Sequence, residues 1–178
     1  IIDDLLVYRF SKYEYMLVVN ASNAEKDFNW ICSNNNLDVE VLNVTKNRGL
    51  LAVQGPKAHL ILQDFTDLKL NNIPYYSFVV GKFADCSNVI ISNTGYTGSG
   101  GFELYFDKQF CVKAWNSLFN NNLLEPIGLA ARDTLRLEMG YCLYGNDIDE
   151  SRSPIEAGLS WIVKMDKNFI GKDFIAKQ

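Results

Sequence analysis

Two segments near the start of the chain place acidic and amide side chains where they could contact a ligand. Asp3 and Asp4 open an apolar stretch that predicts a strand, and Asn20 follows the next predicted strand. Neighbouring residues of a strand point to opposite faces, so one of the two carboxylates must face whatever the sheet covers. A carboxylate there is costly unless a donor meets it, and an amide can both donate and accept towards a heterocycle. Without a ligand, the alternative for the carboxylates is a strand-end cap or a solvated turn. For Asn20 the alternative is a plain turn residue, with Ser22 or Asn23 capping the helix that follows.

A glycine-rich segment, residues 94–103, carries the second group of candidates. Its four glycines between positions 95 and 101 would let the backbone approach a ligand closely, or simply let it turn. No Lys-Ser/Thr pair follows, and the spacing is not that of a dinucleotide fingerprint, so neither nucleotide motif applies. Glu103 begins the next predicted strand, where its carboxylate could accept two hydrogen bonds side by side from a planar ring. The alternative is a hairpin loop with a solvated glutamate.

A predicted helix over residues 128–139 presents Arg132 and Arg136 on one face, because they lie four residues apart. Together they could form a fork for a carboxylate or a polar ring. The commoner alternative is ion pairing within the helix, to which the neighbouring Asp133 is suited. An acidic, glycine-containing loop at 143–150 lacks the spacing of a calcium loop. The apolar stretch after it predicts a strand with Trp161 in the core.

Composition excludes several classes of protein. The 178 residues are 48% hydrophobic and 21% charged, with a net charge of -4 and no basic tract, which argues against nucleic acid as a partner. No stretch approaches the roughly 20 apolar residues of a membrane span. His59 is the only histidine, which nearly excludes a Ser-His or Cys-His nucleophile and a His-ligated metal. The four cysteines show no CxxC spacing, which predicts reduced thiols in a cytosolic protein.

The order of predicted elements favours an α+β fold with mostly antiparallel sheets and flanking helices, because several strands adjoin in hairpins. Ser22 and Glu25 have the spacing of a capping box before the first helix, Asp107 could cap a later one, and Gly140 would end the last. The predicted strands are 5–10, 15–19, 39–44, 50–54, 76–84, 89–93 and 102–106, and the predicted helices are 23–33, 57–65, 109–120 and 128–139.

Six motifs, in this order and at this spacing, resemble the aminomethyltransferase (T-protein) family of the glycine cleavage system. They are IIDDL at 1–5, VVNASN at 18–23, AVQGP at 52–56, TGYTG with GFE at 94–103, GLAARDTLRLE at 128–138 and LYGNDID at 143–149. The resemblance implies ferredoxin-like parts around a folate channel. Residues 1–45 with 140–178 would form one folate-binding subdomain, and residues 46–139 a second one that carries the TGYTG loop.

Members of this family are considerably longer than the chain. We therefore expect a central fragment that lacks the N-terminal segment and the C-terminal barrel and is inactive alone. A sheet cut in this way would have unpaired edges that favour self-association.

The family also implies a reaction and its participants. The one-carbon unit of an aminomethyl group on the lipoyl arm of the H-protein passes to tetrahydrofolate, ammonia leaves, and no metal is required. Tetrahydrofolate is then a co-substrate, and the partners are the lipoylated H-protein and a folate, with no nucleic acid and no membrane. The expected location is the cytoplasm, or the mitochondrion in a eukaryote. The alternative is a folate-binding module of iron–sulfur assembly, or of a demethylase or dehydrogenase, without this transfer.

Residue roles follow from the same resemblance. Asp4 matches the essential aspartate near the reactive folate nitrogens, where it would orient the attacking nitrogen and stabilise positive charge on the transferred carbon. Glu103 matches the pterin-binding glutamate, Asn20 matches a folate-contacting asparagine, and Tyr96 would line or stack on the folate. Arg132 would steady either the ligand or Asp4. Tyr144 is a further pocket candidate.

Two positions depart from the family pattern. Ser99 stands after TGYTG, where an acidic residue is usual, and Asn93 precedes the motif, where an arginine is common. Both departures lie on the loop and change its electrostatics more than the class of reaction.

Overall fold

The computed structural model describes residues 1–120 and 123–178. The chain divides into two compact units, Ile1–Leu42 with Cys142–Gln178 (unit 1) and Asn43–Tyr141 (unit 2). The strands are β1 (Leu6–Arg9), β2 (Tyr15–Val18), β3 (Arg48–Gln54), β4 (Phe78–Phe83), β5 (Cys86–Ser92) and β6 (Gly101–Asp107). The helices are α1 (Ala24–Ser33), α2 (Ala58–Gln63), α3 (Cys111–Leu118), α4 (Leu129–Glu138) and α5 (Lys172–Ile175). Of the helices in these ranges, none is long and apolar enough to cross a membrane.

Unit 2 is built on a four-stranded sheet in the order β3-β6-β5-β4, with every neighbouring pair antiparallel. Strand β6 lies inside this sheet and pairs along its whole length with β3, from Gly101 opposite Gln54 to Asp107 opposite Arg48. On its other side Glu103 lies opposite Ser92 of β5. The predicted α+β class with antiparallel sheets is therefore confirmed.

One face of this sheet carries the core of unit 2. Alternation along β6 directs Phe102, Leu104 and Phe106 inward, where they join Leu62 of α2 and Leu118 of α3 in one buried cluster. The intervening residues of β6 point to the opposite face. Burial of the apolar residues against α2 and α3 thus fixes which face is left for polar side chains.

Truncating a side chain in this core should lower the free energy of unfolding more than truncating one on the opposite face of the sheet. Leu104 is 0% exposed, so Leu104→Ala is expected to cost about 2 to 5 kcal/mol of unfolding free energy by creating a cavity. Leu50 of the neighbouring β3 is 47% exposed and serves as a matched control, with an expected cost under about 1 kcal/mol. Urea unfolding followed by circular dichroism measures both, and equal losses would contradict this assignment of the two faces.

Unit 1 has a smaller ordered framework. Strands β1 and β2 form the predicted antiparallel hairpin, with Tyr8 buried, and α1 follows through a short 3-10 turn, Ala21–Asn23. The second part of the unit contributes the buried Ile148, which forms a parallel bridge with Tyr144. The Tyr144 hydroxyl donates to the carbonyl of Ile1 at 3.1 Å, so the two sequence segments of the unit are tied directly.

Several local predictions are confirmed. The Asp107 carboxylate accepts from the backbone N–H of Gln109 at 3.1 Å and caps the turn that leads into α3. Helix α4 is followed by Gly140 at φ +70°, in the left-handed region where glycine commonly ends a helix. All four cysteines are free thiols.

Three local predictions are wrong. Residues 39–44 alternate in hydrophobicity like a strand, but no described strand pairs with them, and a strand without a partner leaves its backbone groups unpaired. Ser22 lies inside the 3-10 turn, and neither it nor Asn23 caps α1 through its side chain, so the Ser22–Glu25 capping box does not form. Trp161 lies in a 3-10 turn rather than a strand and is 73% exposed rather than in the core.

Candidate functional site

In unit 1 the amide of Asn20 holds both carboxylates that open the chain. Its side-chain nitrogen donates to Asp3 Oδ1 and to Asp4 Oδ1, each at 2.8 Å, and its backbone N–H donates to Asp3 Oδ2 at 3.0 Å. Asn23 adds a bond to Asp3 Oδ1 at 2.7 Å. We name Asp3, Asp4, Asn20 and Asn23 the carboxylate–amide cluster. Within it Asp3 is partly buried and held by three N–H donors, whereas Asp4 is exposed to solvent.

A third carboxyl group adjoins this cluster from α1. Asp27 is 3% exposed, and among the described residues no donor supplies a hydrogen bond to either of its oxygens. Burial and the neighbouring Asp3 carboxylate raise the pKa of Asp27 to about 6. Partial burial also raises the pKa of Asp3, but the hydrogen bonds from Asn20 and Asn23 and the neighbouring Asp27 carboxyl group outweigh it and hold the pKa of Asp3 below its usual value.

Lys26 connects α1 with the ends of unit 1. Its ammonium donates to the carbonyl of Ile2 and, at 2.9 Å, to the hydroxyl of Tyr144, which in turn donates to the carbonyl of Ile1 at 3.1 Å. The ammonium also lies 4.4 Å from the centre of the Tyr144 ring and 3.4 Å from Glu150 Oε1. The Tyr144 side chain is therefore engaged inside unit 1, although it was predicted only as a pocket residue.

In unit 2 the carboxylate of Glu103 lies on the sheet face opposite the core and is half-buried. The buried Thr94 hydroxyl donates to Glu103 Oε2 at 2.5 Å, and the Tyr105 hydroxyl donates to the same oxygen at 3.5 Å. The Ser92 hydroxyl lies 3.0 Å from the Thr94 hydroxyl oxygen and donates to it when the Thr94 hydrogen points to Glu103. Hydroxyl groups thus orient Glu103 through one oxygen, and this orientation is suited to a ligand that approaches the other, Oε1.

An aromatic cluster lies at the start of the glycine-rich loop. The Arg132 guanidinium is 4.3 Å from the centre of the Tyr96 ring, and Tyr96 stacks on Tyr141 with ring centres 5.7 Å apart. Tyr75 interacts with Tyr141 of this cluster. Its pKa is raised to about 12, mainly by burial and further by the neighbouring Tyr76 and Tyr141. A planar cation on stacked aromatic rings is a surface on which a flat heterocycle could also bind.

The predicted fork of Arg132 and Arg136 does not form. Arg136 is 4% exposed, and its guanidinium donates to Asp133 Oδ1 at 2.7 Å and to the carbonyl of Tyr141 at 2.9 Å. Its buried charge is paired and hydrogen-bonded, which is the arrangement that makes such burial tolerable. Arg136 therefore holds the segment after α4 in place, while Arg132 contacts the ring of Tyr96.

The glycine-rich loop is fastened at both ends by close packing. Gln54 donates from its side-chain nitrogen to the carbonyls of Thr94 and Phe102 at 3.2 and 3.3 Å, so it bridges the entry and exit of the loop. A side chain at Gly95 would overlap the Gln54 side chain, and one at Gly98 would overlap the thioether of Met139, at the end of α4. The loop geometry thus depends on the absence of Cβ atoms at these two positions.

Two glycines of this loop give a matched test of that packing. Gly98 and Gly100 have φ values of +67° and +73°, but a Cβ at Gly100 would meet nothing within 4 Å. Alanine at either position costs about 1 kcal/mol in the left-handed region. We expect Gly98→Ala to cost clearly more, because Met139 must also move. Thermal unfolding of the two variants measures the difference, and equal costs would show that Met139 adapts freely.

The predicted site residues fall into the two units. Unit 1 brings Asp4 and Asn20 together and holds Tyr144. Unit 2 brings Tyr96 and Arg132 together and holds Glu103. The described residues contain no group of three or more His, Cys, Asp or Glu that could hold a metal.

The structure adds residues that sequence reasoning did not select. Asp27 adjoins Asp3 of the carboxylate–amide cluster, while Thr94 holds Glu103 and Tyr141 stacks on Tyr96. One of these left a signal in the sequence. Asp27 lies four residues before Ile31 and so falls on the apolar face of α1, where an acidic residue is unusual.

Comparison with known proteins defines the class of this chain. Residues 1–167 match the family model described as the GCVT N-terminal domain. The chain therefore belongs to the aminomethyltransferase (T-protein) family of the glycine cleavage system.

Particular relatives agree with this assignment. The chain is 57% identical to a protein named aminomethyltransferase from Bacteroides fragilis and 54% identical to one from Flavobacterium psychrophilum, in each case over 100% of the chain. It covers 51% and 50% of these two proteins, so it spans about half the length of the curated relatives it matches. The crystal structure of glycine cleavage system aminomethyltransferase T from Bartonella henselae is similar, with a TM-score of 0.82 and 36% identity over 92% of this chain and 44% of that one.

Proposed function

We propose that this chain supplies the folate-binding and reacting part of an aminomethyltransferase that transfers the one-carbon unit of an aminomethyl group from a lipoylated H-protein to tetrahydrofolate. Membership of the aminomethyltransferase family over residues 1–167 carries this proposal. In the balanced reaction two C–N bonds form to the folate, and the C–S bond and one C–N bond of the aminomethyl-lipoyl group break. Two protons leave the folate nitrogens, one for the departing ammonia and one for the lipoyl sulfur.

The carboxylate–amide cluster supports the reacting half of the proposal. Asn20 N–H groups fix the orientation of both Asp3 and Asp4, so a negative charge is held in place before any substrate binds. A fixed carboxylate stabilises positive charge that develops on the transferred carbon without reorganising at the moment of reaction. We keep Asp4 as the reacting residue, because it is exposed and can meet a ligand directly. Asn20, whose amide N–H groups already bind these carboxylates, would act through them.

Unit 2 supports the recognition half. Glu103 would accept paired N–H donors from the pterin ring, since Thr94 already fixes its orientation through Oε2. Tyr96 would pack against the flat ring system. Arg132, held over Tyr96 at 4.3 Å, would meet the negative charge of the folate tail. Tyr144 keeps the lesser role of shaping unit 1. The co-substrate is then tetrahydrofolate, with the lipoylated H-protein as partner and the cytoplasm as the proposed location.

Calorimetric titration with 5-formyltetrahydrofolate tests the proposal. We would titrate the 178-residue chain and the complete gene product that carries it, and would assay that product for transfer from aminomethyl-lipoyl H-protein. Saturable binding at one site together with transfer is the expected result for the complete product. Binding without transfer would favour a folate-binding module instead. If neither the 178-residue chain nor the complete gene product binds folate, the proposal is wrong.

A further inference from the structure

We propose that Asp27 shares a proton with Asp3 and is a positioning residue for the carboxylate–amide cluster. This inference rests on the proposed function for its consequence, but not for its geometry. A carboxyl group that is 3% exposed and receives no hydrogen bond from any described donor is costly as an anion. The same group, when protonated, becomes a donor, and Asp3 is the carboxylate beside it.

The donors around Asp3 leave room for this assignment. Asp3 Oδ1 accepts from the amides of Asn20 and Asn23, and Oδ2 accepts from the Asn20 backbone. Two carboxylate oxygens offer about four lone-pair directions, so three N–H donors leave one to accept from Asp27. Asp3 would then be a fully satisfied anion in a partly buried position. Its hydrogen bonds fix Asn20, and Asn20 in turn holds Asp4 at 2.8 Å.

Lys26 is the other charged group that faces Asp27. Its ammonium lies 3.7 Å from Asp27 Oδ1, beyond hydrogen-bond distance, and donates instead to the Ile2 carbonyl and the Tyr144 hydroxyl. Although partial burial opposes it, Tyr144, Glu150 and Asp27 raise the pKa of Lys26, so its charge persists at neutral pH. Lys26 thus weakens the negative potential near Asp27, but it gives Asp27 no hydrogen bond that could take the place of a proton on the carboxyl group.

The proton on Asp27 makes the cluster sensitive to pH. As pH rises through about 6, Asp27 ionises beside Asp3, and the two anions repel. We expect Asp3 to shift and Asn20 to loosen its hold on Asp4. The raised pKa of Asp27 also fixes the direction in which folding stability changes with pH. Between about pH 4 and pH 6 folded Asp27 keeps a proton that the unfolded chain has released, so its contribution to stability falls as pH rises through this window.

Carbon-13 nuclear magnetic resonance of the aspartate carboxyl groups tests the shared proton directly. In the wild-type chain we expect one carboxyl signal to titrate near pH 6 and to disappear from the spectrum in Asp27→Asn. Glu25→Gln, an exposed change on the same helix, should leave that titration in place. Titration of Asp27 near its ordinary value of about 4 would overturn the proposal. This measurement needs no substrate, so its result stands apart from the proposed transfer reaction.

Activity of the complete gene product provides the second readout. The amide of Asp27→Asn donates to Asp3 at every pH, whereas Asp27→Ala offers no donor. At about pH 5, where wild-type Asp27 keeps its proton, we expect Asp27→Ala to lower kcat at least about tenfold and Asp27→Asn to recover most of that loss. We also expect the Asp27→Asn profile to be flat from about pH 5 to about pH 7. If Asp27→Asn keeps the wild-type pH profile, Asp27 does not position the cluster. If the nuclear magnetic resonance titration appears but the wild-type product transfers nothing, the proposed function fails and the shared proton remains.

Discussion

Asp4→Ala is expected to lower aminomethyl transfer by the complete gene product about 10²- to 10³-fold, the usual effect of removing one preorganised electrostatic group. Folate affinity should change little, because the proposed ring contacts come from unit 2. Single-turnover transfer from aminomethyl-lipoyl H-protein measures the rate, and calorimetry measures the affinity. Glu40→Ala is a matched control, since Glu40 is also an exposed carboxylate of unit 1 and lies outside the carboxylate–amide cluster.

Asp3→Ala separates the roles of the two adjacent carboxylates. Asp3 accepts three N–H donors, so its removal leaves the backbone N–H of Asn20 and the side-chain amide of Asn23 without this acceptor and should cost about 1 to 3 kcal/mol of stability. Asp4→Ala should leave stability within about 0.5 kcal/mol, because Asp4 is exposed. The assignment of Asp4 is wrong if Asp4→Ala transfers normally. The same experiment would move the reacting role to Asp3 if Asp3→Asn, which keeps its shape, loses transfer.

Glu103→Gln is expected to weaken folate binding about 10- to 100-fold. Glutamine keeps the shape of the side chain but removes its charge and replaces one acceptor oxygen with an N–H donor, and a charge-assisted hydrogen bond contributes about 1.5 to 3 kcal/mol. Calorimetry with 5-formyltetrahydrofolate measures the loss. Glu125→Gln, an exposed change in the same unit, is the control. Unchanged affinity in Glu103→Gln would exclude this carboxylate from the recognition of the ring.

Much of the fold could be predicted from the sequence where a signal is local. The hairpin of β1 and β2, the strand β6 and the helix α4 all show their periodicity within a few residues. The segment 39–44 shows the limit of that approach, since its alternation is correct for a strand but pairing depends on a partner elsewhere in the chain.

For the candidate site too, some residues could be predicted from the sequence and others could not. Motif order was enough to select Asp4, Asn20 and Glu103. The stacking of Tyr141 on Tyr96 joins residues far apart in sequence and has no local signature. Arg136 shows a different failure, because its spacing from Arg132 is correct for a fork, yet its side chain is satisfied by Asp133 and by the carbonyl of Tyr141. Spacing fixes which face of a helix a residue occupies, but not the partner that its side chain finds.

The alternation along β6 separates two kinds of selection within seven residues. Phe102, Leu104 and Phe106 serve the stability of the core, while the half-buried Glu103 lies on the opposite face and serves the proposed ligand contact. A mutation of Glu103 leaves the environment of the three core residues nearly intact, since the side chains point away from each other. Under the proposed function, descendants of this protein can therefore change ligand preference through residue 103 without rebuilding the fold. The strand is a place where new specificity can evolve at low cost in folding.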